Sequence, residues 1–294
     1  MKLLKQGLLI TAIVLSAQPT FACTVDASEG FVPENNMKIP VNAKRFGGLS
    51  EKQFNTVIDK VETLYAPIVA QEGGKLVISR AWTDATVNAY AQRSGTTWQV
   101  NMFGGLARHE TITEDGMALV VCHEIGHHIG GAPKKVSAWS SDWASNEGQA
   151  DYFANLKCLR RTFLNDDNAA IVAKLNAPSP LVAACTKAWP NAADKNICIR
   201  GGMAGDSVAR LFAALRNQTA PAKFDTPDPA VVTTTDDNHP ATLCRLDTYF
   251  QGSLCEVNFN DNVSGSSEVT GACHASLGHK VGLRPACWFK PSVR

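Results

Sequence analysis

What this sequence lacks narrows it first. Its charge has almost no sign, with 28 lysines and arginines against 27 aspartates and glutamates. No basic run is present, and basic residues do not alternate with aromatics as they do on a nucleic-acid-binding surface. A nucleic-acid partner is therefore not expected. Long apolar runs are scarce too. The one near the start, Gly7 to Ala17, is too short to cross a bilayer as an ordinary helix, and no second one follows. Internal repeats and long low-complexity tracts are missing as well.

The short apolar run reads instead as part of a secretory signal. Lys2 and Lys5 precede it, and Thr20-Phe21-Ala22 resembles a small-residue cleavage site. Cys23 follows directly, but Thr20 and Phe21 fit a lipoprotein signal poorly. The expectation is a soluble exported protein, periplasmic or extracellular, that starts at Cys23 and has no membrane span once residues 1–22 are gone. Loss of Lys2 and Lys5 turns the formal charge from +1 to −1. Nine cysteines in an exported chain point to disulfides. Local spacing favours Cys185–Cys198, Cys244–Cys255 and Cys273–Cys287, which leaves Cys23–Cys158. Cys122 is then a buried free thiol.

The most informative run is His123-Glu124-Ile125-Gly126-His127, inside an apolar stretch that reads as a helix over Thr113 to Ile129. Residues four apart on a helix share a face, so the two imidazoles can hold one metal ion between them. Glu124 sits beside the first ligand, where its carboxylate can take a proton from a water that the metal activates. Twenty residues on, Glu147 and Asp151 again stand four apart, on one face of a second helix over Glu147 to Phe163. A catalytic zinc takes three protein ligands and keeps one position open, and two histidines with a glutamate are a known set. Glu147 is the expected third ligand. Asp151 is expected to accept the second ring N–H of a ligand histidine and so fix its tautomer.

Late in the chain comes Asp237-Asn238-His239-Pro240, with Arg245 a few residues on. Together with Val87-Asn88-Ala89-Tyr90-Ala91 and Trp98 to Leu106 upstream, this order of motifs resembles the HtpX-like, CAAX-prenyl-protease-type zinc metallopeptidases, a gluzincin family. The likeness covers roughly Lys75 to Tyr249. The chain departs from it in having no second apolar span, a short connection between the two ligand helices, and extra cysteines. The resemblance implies an exported zinc endopeptidase with one Zn2+, acting on a protein or peptide substrate. His123, His127 and Glu147 would hold the ion and Glu124 would serve as general base. His239 would donate to the oxyanion, with Arg245 as its helper or as an orienter of Glu147. In zinc peptidases of this build the strand beside the site offers a free edge to substrate, which puts Val100, Asn101 and Met102 on the expected peptide-binding edge. Trp139 and Trp143 could line the groove or pack.

The expected architecture is α+β: a mostly helical, disulfide-stapled domain of the zincin type, with a small antiparallel sheet beside the zinc helix. The zinc metallopeptidase domain should span 49–263, after an N-terminal segment 23–48 and before a disulfide-tethered tail 264–294. An inhibitory role for Cys23 to Gly48 is left open. Two rival readings stand beside the peptidase: a non-catalytic zinc-stabilised binding or chaperone-like module, and a zinc hydrolase of peptidoglycan cross-links.

Overall fold

Ser50 starts the first long helix. Its hydroxyl accepts the Gln53 N–H while the Gln53 side chain takes the Ser50 N–H, so two backbone donors at the helix start are satisfied together. The helix, α1 (Glu51–Gln71), buries the stripe Phe54, Val57, Ile58, Val61, Tyr65 and Val69. This computed structural model describes residues 20–21, 30–43, 47–136 and 143–292. Cys23, Trp139 and all of the signal-like segment except Thr20 and Phe21 lie outside the described residues.

Three strands follow: β1 (Lys75–Ala81), β2 (Ala89–Ser94) and β3 (Thr97–Phe103). β2 and β3 form an antiparallel hairpin, and β1 pairs parallel to β3 on its other side. Thr20–Phe21 adds a short antiparallel pairing outside β2, opposite Arg93 and Gln92. The sheet is thus mixed rather than antiparallel, and β3 is an interior strand paired on both sides. That position overturns the expected free edge. Val100, Asn101 and Met102 lie opposite β2 residues on one side and β1 residues on the other, so their backbone is not open to a peptide. The strand with a side toward the metal site is β2.

α2 (Glu114–Ile129) is capped by Thr113, whose hydroxyl accepts the Gly116 N–H, and ends at Gly130. α3 (Glu147–Phe153) runs on through a π-helical stretch at Ala154–Leu159 into a further turn, Arg160–Phe163. α4 (Ser179–Ala188), α5 (Ala192–Leu215) and α6 (Thr242–Leu254) complete the long helices. The main core joins α1, the sheet, α2 and α5 through side chains such as Ile58, Met102, Leu119, Val120 and Leu211. The whole is α+β and mostly helical, and no described helix is long and apolar enough to cross a membrane. The C-terminal segment is more than a tether. Trp288 is fully buried, in a second core with Tyr152 and Leu156 of α3.

Among the described residues four cystine bridges are formed, and only Cys185–Cys198 of them follows the expected pairing. Cys122 is not a free thiol; it bonds Cys158. It does point away from the ligand face of α2, but that direction is where the extension of α3 packs, and Cys158 meets it there. Cys158 is thereby taken, which corrects the expected Cys23–Cys158 pairing at Cys158; Cys23 lies outside the described residues. Nor are Cys244–Cys255 and Cys273–Cys287 bridged: Cys244 joins Cys287 and Cys255 joins Cys273. The tail folds back across α6, so nearness in space overrides nearness in sequence.

Candidate metal centre

Two helices bring the donors together. α2 and α3 pack side by side at Gly126, where a Cβ would stand 3.1 Å from the Ala150 backbone. This close approach places Glu147, the first residue of α3, against both imidazoles. His123 Nε2 lies 3.3 Å from Glu147 Oε2, and His127 Nε2 lies 3.8 Å from Glu147 Oε1. All three side chains are completely buried, and their donor atoms fall within 4.8 Å of one another. Another grouping, Asp228 with Cys244 and Cys287, has both sulfurs tied up in a disulfide.

Each ring is turned by a partner on its far nitrogen. His123 donates from Nδ1 to Asp151 Oδ1 at 2.7 Å, and His127 donates from Nδ1 to the Ser145 carbonyl at 2.9 Å. The Nε2 atoms of both rings then face the Glu147 carboxylate. His123 Nε2, both oxygens of Glu147 and both oxygens of Glu124 are buried without a hydrogen-bond partner. A cluster of orphaned acceptors at zero exposure is costly unless a cation satisfies it. His123, His127 and Glu147 could therefore hold a metal ion, as expected.

Asp151 is the hub behind the ligands. It accepts His123 and takes Arg245 on both oxygens, Nε and Nη2 each at 2.7 Å. It also accepts the Tyr249 hydroxyl at 2.8 Å. Arg245 thus orients Asp151, and not Glu147 as the alternative role had it. Its remaining Nη1 donates to the Phe31 carbonyl at 2.9 Å. Tyr249 went unrecognised in the sequence, although its spacing of four from Arg245 places both on one face of α6. His239 reaches the centre from the loop before α6. Its Nε2 lies 3.4 Å from Glu147 Oε2 and donates to the Gly30 carbonyl at 2.8 Å.

The charges follow this geometry. Burial pushes Glu124 up to about 8, against the pull of His123. Burial likewise takes His127 down to about 3 and lowers His239, so both rings are neutral at pH 7. Burial works to lower His123 too, but the Asp151 carboxylate outweighs it and lifts the ring to about 9. Glu147 is held well below its ordinary value despite burial, chiefly by His239 and His127. These are balances among the chain's own charges. A cation would draw both glutamates lower and favour neutral imidazoles.

His128 stays outside the site. Its ring is stacked between Trp98 and Trp143, and it donates from Nε2 to the Gln99 carbonyl. Trp143 also packs on Arg93. His109 is buried and bonds Thr111, and His274 bonds Ser276. No known family model matches this chain, and no curated protein or solved structure does either. The resemblance to HtpX-type peptidases stays a likeness of motifs.

Proposed function

We propose that this chain is a zinc-dependent endopeptidase of the zincin type, built for an exported, oxidising compartment. The observation that carries the reading is the buried convergence of His123, His127 and Glu147, whose donor atoms lie within 4.8 Å of one another, with His123 Nε2 and the carboxylates of Glu147 and Glu124 buried without a hydrogen-bond partner. Two nitrogens and a carboxylate suit zinc, which when bound supplies a Lewis acid and a water acidic enough to lose its proton near neutral pH. Glu124 then takes that proton on its carboxylate and passes it to the leaving amine. His239 Nε2–H stabilises the carbonyl oxygen as charge develops on it; it already donates to a peptide carbonyl, that of Gly30. Asp151, Arg245 and Tyr249 act one step back by holding the His123 ring. The signal-like start and four cystines support export to the periplasm or the medium.

The test is hydrolysis of unfolded casein by the zinc-loaded chain beside its Glu124→Gln counterpart. The wild type should cut, and the folded, zinc-binding counterpart should be slower by roughly 100- to 10,000-fold. One observation favours a second reading. Every ligand is fully buried, as in a structural zinc site of a binding module. Equal inactivity of both chains, each holding zinc, would favour that module over the peptidase.

A further inference from the structure

A peptide lying in a peptidase cleft makes three kinds of contact. Its backbone pairs with a strand edge, its attacked carbonyl meets a donor, and a side chain next to that bond fills a socket. Residues 30–32 of this chain make all three. The Phe31 N–H donates to the Ala89 carbonyl on β2 at 2.7 Å. The Val32 N–H donates to Asn88 Oδ1 at 3.1 Å, and Asn88 Nδ2 returns a bond to the Val32 carbonyl. On the carbonyl side, His239 donates to Gly30 at 2.8 Å and Arg245 to Phe31 at 2.9 Å. The Phe31 ring is fully buried, edge-on to the His123 imidazole at 4.8 Å and 5.4 Å from Phe212.

The fit at Gly30 is specific. A Cβ there would stand 2.1 Å from the Ala89 carbonyl oxygen and 2.6 Å from Asn88 Oδ1. Only a residue without a side chain lets the segment lie this close to β2. Further along, the segment keeps to the same side, with Asn35 reaching the Val87 carbonyl and the Ile39 N–H the Ala85 carbonyl. It runs antiparallel to the stretch that leads into β2.

From this geometry we infer that Gly30-Phe31-Val32 is a tethered, substrate-like occupant of the peptide cleft, and that a peptide substrate must displace it. The inference rests on the peptidase reading and deepens it. The occupant also states the class of peptide the cleft takes: glycine followed by a large apolar residue, with the glycine carbonyl at His239. It accounts for the complete burial of the metal ligands. A competitor pays the cost of moving the segment, so its apparent dissociation constant is the intrinsic one divided by the fraction of chains in which the segment is already displaced.

The experiment uses the zinc-loaded chain carrying Glu124→Gln, and a fluorescein-labelled nonapeptide copied from Ser28 to Asn36. Binding is read by fluorescence anisotropy with and without Gly30→Val. That substitution crowds the segment off β2 and replaces none of the apolar core side chains. The expected result is binding about tenfold or more tighter in the Gly30→Val chain. Unchanged affinity in a folded Gly30→Val chain would overturn the inference. Should Gly30→Val fail to fold, the parent chain answers instead. Saturating peptide should speed hydrogen exchange at the Phe31 and Val32 amides, and unaltered exchange sinks the idea. Casein cleavage with Glu124 restored separates the two readings. Equal cutting with and without Gly30→Val removes the occupant and keeps the peptidase. Tighter peptide binding with no cutting keeps the occupant and removes the peptidase.

Discussion

Two arginines in this molecule make the same bidentate contact with an aspartate and do different things with it. Arg245 grips Asp151 at the metal centre, and neither residue has any exposure. Arg200 grips Asp115 at 3.0 and 2.6 Å and also reaches Asp166 at 2.8 Å and Asn168 at 2.6 Å. Its carboxylates are 19% and 22% exposed, and Lys60 holds Asp166 from another side at 2.6 Å. Both guanidiniums lie on aromatic rings, Arg245 on Phe212 at 4.1 Å and Arg200 on Phe163 at 3.7 Å. The Arg200 cluster is a redundant tie among α1, α2, α5 and the turn after α3, with water at its rim. The Arg245 cluster has no water to fall back on, and everything it holds serves the ligand His123 and the segment at Phe31. Redundancy marks the Arg200 pair, and its lack marks the pair beside the candidate metal centre.

Substitutions can break that contrast. The largest effect should come from Arg245→Met, which strands Asp151 as a buried, uncompensated charge. A loss of about 3–5 kcal/mol in urea unfolding is expected. Zinc affinity should fall about 10- to 100-fold as the His123 ring loses its fixed partner. Next comes removal of Cys122–Cys158 by a double alanine substitution. Its sequence separation of 36 residues predicts about 3–4 kcal/mol, measured by the same unfolding curve. If zinc affinity then holds, the ligand helices are aligned by packing and charge rather than by the cross-link.

Asp247, two residues beyond Arg245, sharpens the comparison because it accepts the Asp228 N–H rather than a cation. Burial raises its carboxyl to about 6. The folded chain therefore binds more protons than the unfolded one between about pH 4 and 6, and stability falls as pH rises through that window. Asp247→Asn should flatten that slope and add about 2 kcal/mol at pH 7; an unchanged pH profile would mean the carboxyl is already well solvated. The smallest effect belongs to Arg200→Met, at about 1 kcal/mol, because Asp115 and Asp166 can turn to water. Asp166 is held below its ordinary value, against burial, by Lys60 and Arg200. Its stabilising share is present at neutral pH and disappears as pH falls below about 4, so Arg200→Met should soften acid unfolding. Equal losses from Arg245→Met and Arg200→Met would erase the distinction.

Local spacing made much of this legible. The capping box at Ser50, the pair His123 and His127, and Glu147 with Asp151 all work within one or two helical turns, where geometry follows from sequence separation alone. α5 was harder to read. The sequence offers a helical pattern only over Asp206 to Leu215, whereas the helix begins at Ala192 and runs through Gly201-Gly202, residues of low helix propensity. The glycines are instead where neighbours come close: a Cβ on Gly202 would meet Leu181 at 2.4 Å, and one on Gly205 would meet Tyr249 at 2.8 Å. The sheet misled for a related reason. Enrichment in valine, threonine and aromatics marks Thr96 to Phe103 as a strand, but composition cannot say whether a strand is central or at an edge.

The sequence by itself determined the donor set, since residues four apart on a helix must face the same way. It also determined the two long ligand helices and the presence of cystines. The tertiary structure alone decided which cysteines meet, which strand faces the site, that Arg245 and Tyr249 converge on Asp151, and that Gly30 and Phe31 lie over the ligands. Those contacts, the Cys185–Cys198 bridge aside, join residues from 18 to more than 200 positions apart. At such separations no local rule applies. The outcome depends on which buried surfaces can close on one another without leaving a charge or a backbone group unpaired.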